Sequence, residues 1–254
     1  MTAEIHVFRD LAELSRHAAD RFVEAAEETV AGRRPFYATI SGGSTPRAMF
    51  GLLATTDLAL RFPWTSTQLF QVDERTVPPD HPDSNYRMIR ETLLDHAPLP
   101  PENFHRMRAE SPDLEAAAHD YAHEIAGVLD PRGGAWPRFD LIHLGLGPDG
   151  HTASLFPGTV ALEEEKRWVV PNHVPMLNTW RLTLTYPVIN AAREVIFVVD
   201  GENKADVLRR VLYPETPEDR FPAQGIAPRE GQLRWYVTES AARLLPRGAS
   251  GSAG

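Results

Sequence analysis

Two glycine-rich stretches each follow an apolar run, and each carries residue types that can hold an anion or move a proton. The first, Ser41-Gly-Gly-Ser-Thr-Pro46, comes directly after residues 36–40. Small residues let backbone N–H groups approach an anion, and the N-terminus of a following helix adds partial positive charge. The pattern predicts Thr45 as the N-cap of that helix, with Pro46 at its first position. It indicates either a phosphate site or an ordinary strand-to-helix turn; no lysine follows the glycines, which excludes a Walker loop.

The second stretch, Gly145-Leu-Gly-Pro-Asp-Gly-His151, formally matches the dinucleotide fingerprint G-x-G-x-x-G. Pro148 and Asp149 stand where backbone amides should face a pyrophosphate, and Pro157-Gly158 interrupts the segment where the crossover helix should continue. We therefore reject a nucleotide site. His151 remains as either a general base that works near neutral pH or a histidine that caps a helix.

Asp73-Glu74-Arg75 follows an apolar run at 67–72 and brings two carboxylates and a guanidinium to the carboxyl end of a predicted strand. A guanidinium in that place can pair with both oxygens of a phosphate. The alternative is a solvated acidic turn that its own arginine neutralises.

Three other histidines give no comparable indication of a functional site. His119 and His123 lie four apart on a predicted helix, but the second histidine of the metalloprotease pattern is missing, so a solvated helix face is expected. His143 lies within a buried strand and is expected to be a core histidine with its hydrogen bonds satisfied. No metal site is predicted, and the absence of a G-x-S-x-G elbow weakens a serine-hydrolase interpretation.

The amino-acid composition argues against several kinds of binding partner and several kinds of chemistry. The 254 residues include 26 basic and 35 acidic side chains, a net charge of −9, and no cysteine. An acidic chain without a basic block is a poor partner for nucleic acid or an anionic membrane, and a chain without cysteine has no disulfides and no thiolate chemistry. No signal sequence and no apolar run of about 18 residues is present, so a cytoplasmic location is expected. Only Lys166 and Lys204 are lysines.

The order of the predicted elements indicates the fold. Apolar periodicity predicts helices at 11–31, at 114–129 and near 204–212, the first capped by Asp10 and ended by Gly32. Strands are predicted at 5–8, 36–40, 67–72, 139–144, 168–170, 181–185, 195–199 and 233–237. Strands that alternate with helices predict an α/β fold, a doubly wound and mainly parallel sheet with helices on both faces, which binds ligands beyond the carboxyl ends of its strands. We expect one catalytic domain over residues 1–246 and a disordered tail at 247–254.

Taken together, these blocks resemble the glucosamine-6-phosphate isomerase/6-phosphogluconolactonase family, and the lactonases in particular. The resemblance rests on residues 41–46, on 73–75 with Ser84-Asn85, and on 145–158, all in the family's order. Arg181-Leu-Thr-Leu-Thr185, Asn190 and Gly201-Glu-Asn-Lys-Ala205 extend it over nearly the whole chain.

The resemblance implies a Rossmann-like fold of the glucosamine-6-phosphate isomerase type and hydrolysis of 6-phosphoglucono-δ-lactone in the pentose phosphate pathway. It implies that His151 activates water, that Asp149 orients the site and that Asp73 belongs to the catalytic set. The phosphate contacts that it implies are Gly42, Gly43, Ser44, Thr45, Arg75 and Lys204, with Arg181 on the phosphate or the sugar. Lactone hydrolysis requires no metal or organic cofactor. The expected partner is a phosphosugar lactone, and the chain is expected to be a monomer or a homodimer.

Two other functions remain open. The related amino-sugar isomerases continue the glycine–histidine block into Phe-Asn-Glu-Pro-Gly, whereas this chain reads Ser154-Leu-Phe-Pro-Gly158. They also carry an aromatic residue in the place of Arg75, so the isomerase is the less favoured enzyme. A protein that binds phosphosugars without turning them over is the third possibility, and the presence of His151 argues against it.

Overall fold

A seven-stranded sheet organises the chain. The computed structural model describes residues 3–131, 133, 135–216 and 220–246, so the tail at 247–254 lies outside the described residues. Its strands are β1 (Glu4–Phe8), β2 (Phe36–Ile40), β3 (Thr67–Gln71), β5 (Phe104–His105), β6 (Leu141–Leu144), β9 (Glu194–Val199) and β10 (Gln232–Thr238). Their order across the sheet is β1-β10-β9-β6-β2-β3-β5, and every neighbouring pair is parallel.

Helices connect these strands and cover both faces of the sheet. They are α1 (Leu11–Ala31), α2 (Ser44–Leu53), α3 (Thr56–Arg61), α4 (Asn85–Ile89), α5 (Leu114–Leu129), α6 (Tyr186–Ile189), α7 (Ala205–Leu212) and α8 (Glu239–Ala242). Asp10 caps α1 by accepting a hydrogen bond from the Glu13 N–H, and Gly32 ends that helix, as predicted. Over the described ranges, no helix combines the length and the apolar character that crossing a membrane requires.

Alternate side chains of each strand enter different cores, which explains the apolar runs. In β9, Val195 and Phe197 pack into one buried cluster and Ile196 into the other. The first cluster lies under α5 and α7, and the second lies under α1 and α2. Strands buried on both faces read as continuous apolar segments. The structure therefore confirms the doubly wound, mainly parallel sheet.

A second sheet differs from the prediction. The strands β4 (Asp73–Arg75), β8 (Thr179–Leu184) and β7 (Val169–Val174) form a separate antiparallel sheet in that order. The segments predicted as strands at 168–170 and 181–185 thus belong to a hairpin and not to the parallel sheet. A short turn at 175–178 joins them, and a connection of that length permits only antiparallel pairing. Apolar pattern predicts strands, but it does not identify their partners.

The chain reverses direction across the main sheet between β2 and β6. From β2 it proceeds to β3 and β5 on one side, then returns to β6 on the other side of β2 and continues to β9 and β10. The two connections that leave β2 and β6 therefore diverge at the carboxyl edge and open a crevice between them. Open α/β sheets bind ligands at such a switch point.

Candidate functional site

The crevice at the switch point has a volume of about 230 Å³. Two loops form its main walls, residues 41–46 after β2 and residues 145–148 after β6. Asp73, Arg75, His151 and Lys204 line the space between them. The tertiary structure thus brings together side chains that lie more than 100 residues apart in the sequence.

The loop after β2 approaches the crevice with its backbone. Gly43 has φ +114°, a left-handed conformation that strongly favours glycine. A Cβ on Gly42 would lie 1.8 Å from Oδ1 of Asn85, so that position has no room for a side chain. The helix α2 begins at Ser44 with Gly43 as its N-cap, so the prediction of Thr45 as N-cap was wrong. Gly43 has no side chain to cap the N-terminus of α2. The ten-residue helix therefore presents its first N–H groups toward the crevice.

Asp73, Glu74 and Arg75 form strand β4, and alternation along that strand separates their roles. Asp73 and Arg75 line the crevice, whereas Glu74 is 2% exposed and points away from it. The Glu74 carboxylate accepts hydrogen bonds from the N–H groups of Arg75 (2.8 Å), Asn85 (2.8 Å) and Tyr86 (2.7 Å). Gln71 and Ser84 donate to it from their side chains. The sequence analysis gave Glu74 no role of its own, and the structure makes it the anchor of this strand.

The second sheet fixes the segment that follows His151. Ser154 Oγ donates to Asp73 Oδ2 at 2.7 Å, and the Ser154 N–H donates to Thr183 Oγ1 at 3.2 Å. Asn172 Nδ2 donates to the Ser154 carbonyl at 2.9 Å. One serine is thereby hydrogen-bonded to all three strands of that sheet. The sequence analysis noted Ser154 only as a departure from the isomerase block, and its contacts depend on strand pairings that sequence does not show.

His151 and Asp149 form a hydrogen-bonded pair. His151 Nδ1 lies 2.5 Å from Asp149 Oδ1, and the His151 ring stacks on Phe156 with centroids 4.0 Å apart. A Cβ on Gly147 would lie 2.0 Å from His151 Nδ1, so a glycine is needed beneath the ring. Burial raises the pKa of Asp149, but the hydrogen bond and charge of His151 outweigh it and hold that pKa below its usual range.

This pairing determines which nitrogen of the ring can act. A charged carboxylate at Nδ1 favours a proton on Nδ1, which leaves the Nε2 lone pair available. His151 lines the crevice, while Asp149 lies behind it and is not among the lining residues. The arrangement can take a proton from a water molecule at Nε2 and stabilise the resulting imidazolium.

Two arginines lie side by side across β4 and β8. Arg75 and Arg181 are register partners, and Arg75 alone reaches the crevice. Arg75 Nη1 donates to the Asp83 carbonyl, and Arg181 Nη1 donates to the Trp180 carbonyl at 3.1 Å. Neither guanidinium forms an ion pair with a carboxylate of the described chain. Burial, and then the positive charge of Arg75, lower the pKa of Arg181.

Lys204 supplies the remaining positive charge from the far side of the crevice. It ends the 3-10 turn Glu202–Lys204 and is the N-cap of α7. Burial lowers its pKa, and the charge of Asp149 opposes that shift. Its ammonium, like the Arg75 guanidinium, lacks an ion-pair partner in the described ranges. Two cations without ion-pair partners, beside an open helix N-terminus, can hold an anion.

No group of three or more His, Asp or Glu side chains in the described ranges is arranged to hold a metal ion. His119 and His123, the pair four residues apart on α5, lie on an outer face away from the crevice. The structure therefore brings the predicted residues to one place, except that Asp149 lies behind His151 and Arg181 beside Arg75.

Comparisons with known proteins identify the family of this chain. Residues 9–235 match the family described as glucosamine-6-phosphate isomerases/6-phosphogluconolactonase. The chain is 40% identical over 247 residues to the 6-phosphogluconolactonase of Homo sapiens, covering 95% of this chain and 93% of the human protein. It is 41% identical over 206 residues to that of Synechocystis, covering 81% and 83% of the two chains.

A solved structure of 6-phosphogluconolactonase from Trypanosoma brucei superposes with a TM-score of 0.85 at 29% identity, covering 96% of this chain and 99% of that one. Sequence similarity and overall fold thus indicate the same family. The chain belongs to the glucosamine-6-phosphate isomerase/6-phosphogluconolactonase family.

Proposed function

We propose that this chain hydrolyses 6-phosphoglucono-δ-lactone to 6-phosphogluconate, a step of the oxidative pentose phosphate pathway. One observation carries the proposal: a histidine–carboxylate pair and an anion site share one crevice. The substrate requires both, because it has a phosphate at one end and an electrophilic carbonyl at the other. The relatives reported above are named for this activity.

The phosphate end of the substrate binds at the loop after β2. Backbone N–H groups and the hydroxyls of Ser44 and Thr45 surround it, and Gly42 and Gly43 allow the close approach. Arg75 and Lys204 add the charge from the two sides. Arg181, beside Arg75, reinforces the positive field without lining the crevice. The overall charge of −9 makes this local concentration of cations necessary.

His151 is the general base in the proposed mechanism. Its Nε2 takes a proton from water as the water oxygen attacks the lactone carbonyl carbon. The ring C–O bond then breaks, and the proton on Nε2 passes to the departing ring oxygen, so the histidine returns to its starting state. Asp149 holds the tautomer and stabilises the transient imidazolium. Asp73, fixed by Ser154, presents a carboxylate that orients the hydroxyls of the sugar.

This chain lacks a glutamate that the isomerase reaction would need. Aligning Ser154-Leu-Phe-Pro-Gly158 with the isomerase block puts Phe156 where the isomerases carry glutamate. Phe156 instead stacks on the His151 ring. An aromatic ring cannot shuttle the proton of an aldose–ketose conversion, so the lactonase is favoured.

The remaining parts of the proposal concern the whole protein. The reaction proceeds without a metal or organic cofactor, since water, a base and an anion site are sufficient. We assign it to the cytoplasm, because a doubly charged phosphosugar does not cross a membrane unaided. Residues 1–246 form one catalytic domain, which acts as a monomer or a homodimer.

The test is the formation of 6-phosphogluconate from freshly generated 6-phosphoglucono-δ-lactone, coupled to 6-phosphogluconate dehydrogenase. A reaction without the protein is required, because the lactone also opens unaided. We expect a wild-type rate far above that blank. A rate equal to the blank from folded protein would overturn the proposal, and glucosamine-6-phosphate isomerisation would be measured next.

A further inference from the structure

A buried hydrogen bond joins the two strand ends that carry the crevice loops. Ser41 directly follows β2 and lines the crevice, and His143 lies in the neighbouring strand β6. Ser41 Oγ and His143 Nδ1 are 2.9 Å apart. The two residues are 5% and 1% exposed. The sequence analysis placed Ser41 in the loop of the candidate phosphate site without naming it as a phosphate contact, and it expected His143 to be a satisfied core histidine.

His143 is only half satisfied. Its Nε2 is buried and has no hydrogen-bond partner among the described residues, and its nearest aromatic neighbour is the Phe50 ring at 5.9 Å between centroids. Burial lowers the pKa of His143 to about 4, so the ring is neutral at physiological pH. A neutral imidazole carries one proton, which sits on either Nδ1 or Nε2.

The two tautomers have different consequences for the crevice. A proton on Nε2 would bury an N–H donor without an acceptor, an arrangement that folded proteins almost always avoid. Ser41 would then donate inward to Nδ1 and offer the crevice only lone pairs, which repel an anion. A proton on Nδ1 leaves only a lone pair unpartnered and makes Ser41 Oγ the acceptor. The Ser41 hydroxyl hydrogen is then free to point into the crevice.

We propose that His143 is held as the Nδ1–H tautomer and thereby turns the Ser41 hydroxyl into a further donor to a phosphate oxygen of the bound sugar phosphate. Ser41 contacts the ligand, and His143 is a positioning residue that acts through it. The identity of the ligand rests on the proposed function, whereas the tautomer does not.

The tautomer is tested directly by long-range ¹H–¹⁵N correlation NMR of protein labelled in its histidines, at neutral pH. The His143 signals are assigned by their loss in His143→Asn. We expect a protonated Nδ1 and an unprotonated Nε2. A protonated Nε2, or a ring with both nitrogens protonated, would overturn the proposal. This measurement uses the wild-type protein and does not depend on how well the variants fold.

The donor is tested by binding and kinetics. Ser41→Ala is expected to raise the lactone KM and the dissociation constant of inorganic phosphate about tenfold, with kcat nearly unchanged. Ser15→Ala is the matched control, because Ser15 is equally buried, lacks a side-chain partner and lies in α1 away from the crevice. An unchanged phosphate affinity in Ser41→Ala would contradict the proposal.

The coupling between the two residues provides the readout that a merely structural role would not affect. His143→Leu is expected to raise KM as much as Ser41→Ala, and the double variant no further. His143→Asn retains a side-chain N–H donor near the Nδ1 position and is expected to stay within about threefold of wild type. Additive losses in the double variant, or no rescue by asparagine, would overturn the positioning role.

Failure of the proposed function would look different. If wild-type protein leaves the lactone at its blank rate, the proposed activity fails, while the NMR tautomer and the phosphate affinity of Ser41→Ala still decide this inference. If lactone turnover is present and Ser41→Ala binds phosphate like wild type, this inference alone fails.

Discussion

The two loops that wall the crevice begin alike and act by different means. Each follows a buried parallel strand and each is rich in glycine, yet the loop at 41–46 contains no titratable side chain and the loop at 145–151 contains the Asp149–His151 pair. In the proposed mechanism the first loop binds phosphate through backbone N–H groups and hydroxyls, and Gly42 in that loop has no room for a Cβ. In the proposed mechanism the second loop acts through the His151 imidazole, so turnover should depend on that ring. The proposal thus places phosphate binding and proton transfer at the ends of two neighbouring strands.

The largest expected effect separates the two loops at the chemical step. His151→Ala removes the base and is expected to lower kcat about 10²- to 10⁴-fold while phosphate affinity stays near the wild-type value. The measurement is coupled lactone hydrolysis together with calorimetric binding of 6-phosphogluconate. His119→Ala, on the exposed face of α5, is the control and should leave both values unchanged. A parallel loss of binding and turnover in His151→Ala would contradict the division between the loops.

The second prediction concerns the hydrogen bond that joins them. The pKa of His143 is about 4 in the folded protein, against 6.5 for an ordinary histidine. Above pH 6.5 both states are neutral and the folded protein has its full stability. As the pH falls from 6.5 toward 4, His143 becomes protonated in the unfolded chain but stays neutral in the folded protein. The free energy of unfolding should therefore fall by up to about 3 kcal/mol.

Urea unfolding between pH 7 and pH 4 measures this loss. In His143→Asn that part of the pH dependence should be missing, so the variant becomes more stable relative to wild type as the pH falls. Parallel curves for the two proteins would show that His143 does not resist protonation.

The third prediction breaks the first loop and spares the second. Gly42→Ala places a methyl group against the Asn85 side chain and should displace the loop, raising KM about 10²-fold with a smaller change in kcat. Gly51→Ala is the matched control, because Gly51 lies in the interior of α2 with open space around its Cα. That variant should instead stabilise the protein by about 0.5–1 kcal/mol. Equal kinetics for the two variants would mean that the loop tolerates a side chain.

The smallest effect refines the account of binding. Lys204→Ala removes one charged donor and should raise KM roughly tenfold, with the effect declining at high salt. The chain offers a natural control in its only other lysine, since Lys166 is exposed and distant from the crevice. Steady-state kinetics at two salt concentrations measure both variants. Identical KM values for Lys204→Ala and Lys166→Ala would remove Lys204 from the phosphate site.

Much of the site could be predicted because its residues lie in short contiguous blocks. Glycines, hydroxyls and the histidine follow strands at once, and the rule that ligands bind at carboxyl strand ends then places them near one another. Glu74 and Ser154 could not be predicted in this way. Their importance comes from hydrogen bonds to segments 10 and 81 residues distant in the chain, and no local pattern encodes those partners.

Hydrophobic periodicity and turn chemistry are local properties, so the amino-acid pattern predicts the parallel sheet, the helices on both faces and the two glycine-rich loops. The folded structure was needed to show that residues 73–75, 169–174 and 179–184 form a second sheet, that Asp149 lies behind His151, and that Arg181 lies beside the crevice and not in it. The folded structure also shows that α2 begins at Ser44, with Gly43 as its N-cap, two residues before the predicted first position Pro46. Strand partners, side-chain direction and burial depend on contacts between distant segments, and these exist only in the folded chain.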